Sequence, residues 1–297
     1  MEIGSLIVDN CLVCNHVLKK VFKYQSFCYF RCPHCGILTA LPLPNETTIE
    51  EHYTQGFKQG NYYRLLHWRD DYRKVYRDMA EVIKKQLESR GFLLDKKSVL
   101  DIGCFTADFI EILSQYGCDV YGLELQKEAV EIANERLPGR IFAADIYNNV
   151  FPDKTFDIIS MTGLIEHVLE PVKLLERCFE KLKPGGIMII QTPDSDSLLA
   201  SVMGKYWPPV APIEHIYLFS NRSLKMILEA SGFIPIWYKA HIKWLPVEYV
   251  YNNLEMFGPN LQRLISPIYN PLRKILSHIV LPFYGGEIIL LAQKPLD

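Results

Sequence analysis

The stretch Val99–Leu113, with the sequence VLDIGCFTADFIEIL, decides the fold. Val99, Leu100 and Ile102 form a short apolar run, which predicts a buried strand. Apolar residues then recur at helical spacing, which predicts a helix that begins directly after a turn at Gly103. The first N–H groups of such a helix face the carboxyl end of the strand, where open α/β sheets bind ligands.

The glycine pattern of this turn separates two classes of ligand. A dinucleotide fingerprint needs two further glycines, but Phe105 and Asp108 stand in their places, so a pyrophosphate cradle is disfavoured. The stretch instead resembles motif I of the class I S-adenosylmethionine-dependent methyltransferases, V-L-D-I-G-C-G-T-G. The residues that match this motif are Asp101, Gly103, Cys104 and Thr106.

Two glycines of the motif are replaced in this chain, by Phe105 and Ala107. Each replacement is expected to narrow the space for the methionine end of the cofactor or to require a backbone angle that a side chain tolerates poorly. The alternative interpretation is an ordinary strand-to-helix turn in an unrelated doubly wound fold.

Acidic residues follow the next two predicted strands. Glu124 ends the second strand twenty-one residues after Gly103, a spacing that suits hydrogen bonds to two ribose hydroxyls, although a carboxylate favoured by a helix dipole is the alternative. Asp145 ends the third strand, where the family places an acid and the next N–H against the adenine. The resemblance thus implies cofactor contacts with Asp101, Gly103, Cys104, Phe105, Thr106, Glu124, Leu125, Asp145 and Ile146.

Five predicted strands alternate with helical patterns, which indicates a parallel sheet. The resemblance implies an α/β fold with a doubly wound, mostly parallel, Rossmann-like sheet of seven strands. We expect a zinc ribbon at 1–44, a helical linker or cap at 45–95, and a methyltransferase domain at 96–297. That domain contains an amphipathic insertion at about 241–284, before a closing strand near 287–292.

The N-terminal cysteines follow the pattern C-x2-C-x17-C-x2-C. Two such pairs close a tetrahedral Zn²⁺ shell of four thiolates with no open position, which predicts a structural zinc. A disulfide or redox role is the alternative. His16, His34 and Cys28 lie off the paired spacing and are expected to be packing or surface residues. The predicted ligands are Cys11, Cys14, Cys32 and Cys35.

The acceptor side resembles a narrower group, the zinc-ribbon methyltransferases that act on sugars and cell-surface polysaccharides. In the sugar C-methyltransferases, a Glu-His followed by an aromatic residue and Phe-Ser supplies the base, and the matching residues here begin at Glu214 and His215. His215, oriented by Glu214, is therefore the first candidate base, and His167 beyond the fourth strand is the second. Structural histidines are the alternative.

The implied function is S-adenosylmethionine-dependent O- or C-methylation of a small molecule, a sugar or a lipid-linked sugar. An RNA methyltransferase is disfavoured, because the net charge is -2 and residues 1–50 hold four basic and four acidic side chains. A non-catalytic scaffold on the same fold is a third hypothesis, motivated by Phe105 and Ala107.

Cellular location is predicted from three further patterns. The first residues lack a secretory signal, no apolar stretch approaches the length of a membrane span, and eight cysteines indicate a reducing cytoplasm. The insertion at about 241–284 is interpreted as a lid or a homodimer contact, with peripheral membrane contact for a lipid-linked substrate as the sharper alternative. The mixed charges along the polar face of the helix around Tyr72–Leu87, Arg73 among them, indicate a solvated surface.

Overall fold

The computed structural model describes most of the chain. The described residues are 9–45, 47–49, 51–52, 55, 68–254, 260–277 and 279–296. The predicted linker or cap at 45–95 therefore lies partly outside the described residues.

The fold grows from the strand and helix on either side of Gly103. Strand β4 spans Ser98–Ile102 and contributes four fully buried residues. A tight turn leads into the helix Asp108–Ser114, whose buried apolar residues face the sheet. The predicted strand, turn and helix are all present.

The main sheet has seven strands, β4 and six others. The others are β5 Asp119–Glu124, β6 Ile141–Ala143, β7 Phe156–Thr162, β8 Leu182–Pro193, β10 Ile234–Pro246 and β11 Val280–Gln293. Their order in the sheet is β10-β11-β8-β7-β4-β5-β6. Strands β5, β4, β7 and β8 run parallel to one another, β6 runs parallel to β5, and β11 runs antiparallel to both β8 and β10. The predicted fold class is confirmed.

Helices cover both faces of this sheet. The first, α1, presents buried residues at helical spacing, among them Val75, Met79, Ile83 and Leu87, so the period predicted from the sequence is the one that packs. The bounds are α1 Arg69–Glu88, α2 Asp108–Ser114, α3 Lys127–Asn134, α4 Pro171–Lys181, α5 Leu198–Met203, α6 Asn221–Ala230, α7 Val247–Asn252 and α8 Leu261–Leu276. Short 3-10 turns occupy Ile146–Asn148, Ile165–His167 and Gly204–Tyr206.

The N-terminal hairpin belongs to a second, four-stranded sheet in the order β1-β2-β3-β9. Its bounds are β1 Lys19–Tyr24, β2 Phe27–Arg31, β3 Leu38–Leu41 and β9 Tyr217–Leu218. The alternating aromatics pair across the hairpin, with Phe22 opposite Tyr29 and their rings stacked at 4.9 Å. Since β9 comes from the segment after β8, this ribbon sheet is joined to the main domain.

The two faces of the main sheet contact different parts of the protein. Met188 and Ile190 of β8 belong to an apolar layer that includes Ile37 of the ribbon sheet. The alternate residues Ile187 and Ile189 belong to the layer that contains α1. Side chains at successive positions of β8 therefore point toward the ribbon or toward α1.

The segment predicted as an insertion begins as a strand. Strands β10 and β11 stay paired as far as Pro246 and Val280, well beyond the main sheet, and α7 and α8 connect them. The closing strand thus starts at Val280, earlier than the expected 287–292, because its first residues pair with β10 alone. No helix in the described part of the chain has the length and apolar character needed to cross a bilayer.

Candidate active site

The carboxyl edge of the main sheet, where β4 to β8 end, collects the predicted functional residues. Asp101 is the penultimate residue of β4 and is 1% exposed. Ser160 Oγ in β7 donates a hydrogen bond of 2.6 Å to Asp101 Oδ1. Burial raises the pKa of Asp101 to about 7, and the bond from Ser160 acts in the opposite direction. A buried carboxyl group that titrates near neutrality is typical of a functional site.

The turn after β4 keeps the backbone of a glycine-rich loop. Gly103 has φ +67°, and the two residues that replace glycines, Phe105 and Ala107, have φ +49° and +59°. The left-handed angle expected from the missing glycines is therefore present at both positions. A Cβ on Gly103 would lie 2.9 Å from Cδ1 of Leu164, so a side chain here would require Leu164 to move as well as a left-handed backbone.

Cys104 and Thr106, which follow Gly103 in the motif, also bury their side chains in the protein. Cys104 is 6% exposed, and its Sγ lies 2.5 Å from where a Cβ on Gly122 would stand. Thr106 is 2% exposed and donates a hydrogen bond of 2.6 Å to Asp108 Oδ2. Any contact of Cys104 or Thr106 with a ligand would therefore use the backbone.

Arginines from α1 fix the residue that begins α2. Oδ1 of Asp108 accepts hydrogen bonds from Arg69 Nη2 at 2.6 Å and from Arg73 Nη1 at 2.7 Å. Burial alone would raise the pKa of Asp108, but the bonds from Arg69, Thr106 and Arg73 bring it below its usual range. Arg73 is thus part of an interior ion pair, which corrects the expectation that it lies on a solvated face.

A second carboxylate extends this cluster to α3. Arg73 Nη1 and Arg136 Nε each lie 2.7 Å from Glu111 Oε2, and Arg136 Nη2 also donates to the carbonyl oxygen of Thr106. We call Arg69, Arg73, Arg136, Asp108 and Glu111 the arginine cluster. It ties three helices to the motif I turn.

Glu124 lies beside the motif I turn, as predicted from its spacing. Its Oε2 accepts a hydrogen bond of 2.9 Å from the N–H of Phe105, and its Oε1 accepts one of 2.9 Å from the N–H of Gln126. Each carboxylate oxygen keeps a second lone pair, so ribose hydroxyls can be accepted as well. The neighbouring Leu125 is 69% exposed.

Asp145 follows β6, at the next strand end. Its Oδ1 caps a 3-10 turn by accepting hydrogen bonds from the N–H groups of Tyr147 at 2.8 Å and Asn148 at 2.9 Å. Ile146 is 4% exposed. The structure therefore lines up Gly103, Glu124 and Asp145 at the ends of three adjacent strands.

The two candidate bases lie together beyond β7. The rings of His167 and His215 meet edge to face, with centroids 4.7 Å apart. His215 Nδ1 lies 2.7 Å from the carbonyl oxygen of Pro209. Because a carbonyl can only accept, Nδ1 carries the proton and Nε2 of His215 is left as the proton acceptor.

The structure corrects the expectation that Glu214 orients His215. Glu214 Oε1 lies 2.9 Å from Nε2 of His52, and the His215 ring is held by Pro209 and His167. The two neighbouring residues Glu214 and His215 therefore make separate contacts, Glu214 with His52 and His215 with Pro209 and His167.

Glu166 is the carboxylate that the sequence analysis did not single out. Ligating atoms of Glu166, His167 and His215 all lie within 4.8 Å of one another, and Glu166 Oε2 accepts a hydrogen bond of 2.9 Å from Thr192. Burial raises the pKa of Glu166, although the interaction with His215 and the hydrogen bond from Thr192 act in the opposite direction. Burial also lowers the pKa of His167 well below its usual range, and His215 adds to that effect. The signal available in the sequence was the position of Glu166 next to His167.

A second polar group at the same edge was also missed. Glu287 in β11 accepts hydrogen bonds of 2.6 Å from Gln191 and from Lys243. The sequence did contain a signal, since Gly285 and Gly286 precede Glu287 inside an apolar strand and so indicate a bulge.

The four predicted metal ligands converge in the ribbon. Sγ atoms of Cys11 and Cys35 lie 3.4 Å apart, as do those of Cys14 and Cys32, and all four lie within 4.8 Å of one another. A tetrahedral zinc shell with Zn–S bonds of about 2.3 Å separates its sulfurs by about 3.8 Å, so the spacing fits. The N–H of Val13 also donates to Cys11 Sγ.

Sequence comparisons identify methyltransferases as relatives of this chain. A model of the methyltransferase-domain family matches residues 67–236, more than half of the chain. A ubiquinone biosynthesis O-methyltransferase from Leptothrix cholodnii is 29% identical over 121 residues, which cover 37% of this chain and 51% of that protein. The protein of the same name from Paraburkholderia phymatum is 29% identical over 145 residues, 44% of this chain and 60% of that one. The chain thus spans about half the length of the curated relatives it matches.

Solved structures show the same fold. A SAM-dependent methyltransferase from Thermotoga maritima is 20% identical and aligns over 83% of this chain and 98% of its own, with a TM-score of 0.52. A provisionally assigned methyltransferase from Bacillus halodurans is 16% identical and aligns over 71% of this chain and 98% of its own, with a TM-score of 0.51. At these identities the likeness concerns the fold alone. The sheet order, the motif I turn and the family match together establish that the chain belongs to the methyltransferase-domain family.

Proposed function

We propose that the protein transfers a methyl group from S-adenosylmethionine to a hydroxyl group of a small acceptor. The observation that carries the proposal is the bond from Phe105 N–H to Glu124, which places an acidic strand end against the motif I turn. Support for a hydroxyl acceptor comes from the O-methyltransferase relatives, and support for a sugar or lipid-linked sugar comes from the EHIYLFS resemblance at Glu214–Ser220.

In this proposal, different residues at the carboxyl edge bind the cofactor and accept the proton. Glu124 would accept the ribose hydroxyls, and Asp145 with the N–H of Ile146 would contact the adenine. The bound cofactor supplies an electrophilic methyl group, which a nucleophile must approach in line. His215 would take the acceptor's proton at Nε2, with its ring fixed by Pro209 and its neighbour His167 kept neutral.

This proposal is tested first by calorimetry and then by turnover. We expect S-adenosylmethionine and its demethylated product to bind the wild-type protein, and a screen of sugar nucleotides and lipid-linked sugars to yield an acceptor. His215→Ala should keep its cofactor affinity and lose about 10² to 10⁴ in turnover, the usual scale for a positioned base. Glu214→Gln, which changes the contact to His52, is the matched control and should stay within a few-fold of wild type.

Three results would contradict parts of this assignment. No cofactor binding by the wild type would favour the scaffold hypothesis. Unchanged turnover of His215→Ala at every pH would leave His167 as the base. A methylated carbon in the product, located by NMR, would replace O-methylation with C-methylation.

We further propose that Cys11, Cys14, Cys32 and Cys35 hold one structural zinc. Four thiolates in a closed shell leave no position for a substrate, so the metal would stabilise the ribbon rather than take part in methyl transfer. Support comes from the sulfur spacing and from the N–H of Val13, whose bond to Cys11 is of the kind that steadies a metal-bound thiolate.

A peripheral membrane contact through the extension of the β10–β11 hairpin is a further part of the proposal. Exposed apolar residues form one stripe along α8, and Trp244 on the β10 side of the hairpin is exposed as well. The exposed fractions are 74% for Leu264, 69% for Ile268, 45% for Leu272, 68% for Ile275 and 48% for Trp244. Helix α8 holds three basic residues and no acidic one, so an anionic lipid surface complements it.

Flotation with lipid vesicles tests this contact. We expect the protein to bind vesicles of phosphatidylglycerol and phosphatidylcholine, and Ile268→Glu to abolish that binding. Leu198→Glu is the control, because Leu198 is 77% exposed but lies on α5, outside the stripe. If Ile268→Glu instead splits a dimer measured by ultracentrifugation and leaves vesicle binding unchanged, the stripe is a homodimer contact.

A further inference from the structure

A group of four polar side chains occupies the carboxyl edge on the face toward α1, opposite to Glu166 and His215. Gln191 lies near the end of β8 on this face, Glu287 lies in the neighbouring strand β11, and His241 and Lys243 come from the extension of β10. The register of β10 and β11 shifts between Ala240 and Ile242, and this bulge places His241 against the Glu287 side chain. We call Gln191, His241, Lys243 and Glu287 the distal cluster.

Glu287 is the hub of the distal cluster. Lys243 Nζ donates to its Oε1 at 2.6 Å, Gln191 Nε2 donates to its Oε2 at 2.6 Å, and His241 Nδ1 lies 3.4 Å from Oε2. Burial by itself would raise the pKa of Glu287, but Lys243 and His241 lower it to about 2. Glu287 is thus a carboxylate at neutral pH, and it favours the proton of His241 on Nδ1.

The other nitrogen of His241 lacks a partner. His241 is 5% exposed, and both of its ring nitrogens are buried: Nδ1 makes only the 3.4 Å ion-pair contact with Glu287, and Nε2 has no hydrogen-bond partner in the described part of the chain. A buried polar atom without a partner is unfavourable and calls for an explanation such as a ligand. A purely structural ion cluster would be expected to satisfy both nitrogens.

The distal cluster lies within reach of an acceptor bound at the carboxyl edge of the sheet. Thr162 at the end of β7 pairs with Gln191 in β8, and Glu287 lies one strand further from the motif I turn. Neighbouring strands are about 4.8 Å apart, and Glu287 pairs with Pro193, two residues further along β8 than Gln191, so Glu287 lies about 12 Å from the end of β7, beyond which the proposed base lies. That distance fits the far side of an acceptor whose near side receives the methyl group.

We propose that the distal cluster is a subsite that binds a second hydroxyl group of the acceptor, away from the methylated atom. The hydroxyl donates a hydrogen bond to Nε2 of His241 and accepts one from Nζ of Lys243. It thus gives Nε2 a donor and Nζ a further acceptor. The proposal rests on the proposed function and deepens it, because it assigns the acceptor to polyhydroxylated molecules.

NMR of the full chain with 15N-labelled histidines and bound S-adenosylhomocysteine tests this subsite without a known acceptor. The His241 resonance is assigned by its loss in His241→Gln. We expect the tautomer with the proton on Nδ1, and a shift of the Nε2 signal when methyl glucoside is added. Tetrahydropyran, the same ring without hydroxyl groups, should leave that signal unchanged.

Variants separate binding from folding. Lys243→Met should weaken methyl glucoside binding at least tenfold while the affinity for S-adenosylhomocysteine, which reports an intact fold, stays within error. The melting temperature should fall, because the buried Glu287 loses a charge partner. Lys239→Met is the matched control, because Lys239 lies on the same strand and is exposed. Glu287→Gln should shift the proton of His241 toward an equal mixture of tautomers.

Several results would overturn the subsite. These are a proton on Nε2 in the wild type, the same shift with tetrahydropyran as with methyl glucoside, or no shift with either compound. A protein that fails to bind S-adenosylhomocysteine but still shows the glucoside shift at His241 would contradict the proposed methyl transfer and support the subsite.

Discussion

Asp108→Asn tests whether the arginine cluster holds the motif I turn. The Asp108 side chain is 9% exposed and accepts bonds from Arg69, which is 27% exposed, and Arg73, which is 19% exposed. The cluster contains three guanidinium groups and two carboxylates, so the substitution leaves three positive charges against one negative charge. Removing one partner of a buried pair costs about 3 to 5 kcal/mol.

Asparagine keeps an oxygen that can still accept from Thr106, so we expect the lower end of that range, about 3 kcal/mol in the free energy of unfolding. The matched control is Asp119→Asn. Asp119 contacts Arg140 at the same distance of 2.6 Å, but the two side chains are 49% and 40% exposed. An exposed pair of this kind contributes about 0 to 1 kcal/mol.

Urea unfolding measures both variants, with the slope of the transition as a check that the unfolded states are comparable. Cofactor affinity, measured by calorimetry, should fall for Asp108→Asn and stay unchanged for Asp119→Asn, because Asp108, unlike Asp119, holds the side chain of Thr106. If the two variants differ by less than 1 kcal/mol in stability, burial does not strengthen the cluster and the reasoning is refuted.

Three further predictions concern other parts of the molecule. Cys11→Ser should lose the zinc and lower the melting temperature, and full zinc by metal analysis would contradict the ligand set. Glu124→Ala should weaken cofactor binding by about 2 to 3 kcal/mol in calorimetry, the cost of hydroxyl bonds to a charged acceptor. Burial opposes ionisation of Asp157, but Lys183 and Ser98 bring its pKa down to about 2. Ionised Asp157 therefore adds to the free energy of unfolding above its unfolded pKa of about 3.9, and this contribution disappears as the pH falls toward 2. We expect the stability of Asp157→Asn, measured by unfolding at a series of pH values, to depend less on pH between about 4 and 2.

The sheet and the cofactor side could be predicted because their signals are local. A buried strand, a glycine turn and a helix lie within fifteen residues at Val99–Leu113, and the spacing to Glu124 follows from one more strand and turn. Short-range patterns of this kind need no knowledge of which distant residues meet. The contact between Phe105 N–H and Glu124 is the structural counterpart of that spacing.

The arginine cluster and the distal cluster could not be predicted in the same way. The sequence pattern places Arg73 on a charged helix face. Only the packing of α1 on α2 shows that it contacts Asp108 and Glu111. Glu287 and Gln191 are 96 residues apart in the chain and meet because β11 inserts beside β8. Long-range pairing decides such sites, and sequence periodicity does not contain it.

At the replaced glycines of motif I, a local sequence pattern depends on long-range contacts. Phe105 and Ala107 both hold left-handed backbone angles, which cost about 1 to 2 kcal/mol for each residue with a side chain. Such strain persists only when surrounding contacts determine it. The bonds of Glu124 to Phe105 N–H and of Arg136 to the Thr106 carbonyl act on the turn itself, and they are of the size needed to offset that cost. The turn therefore keeps the shape of a glycine-rich loop through contacts made by its neighbours, and the scaffold hypothesis cannot rest on the missing glycines alone.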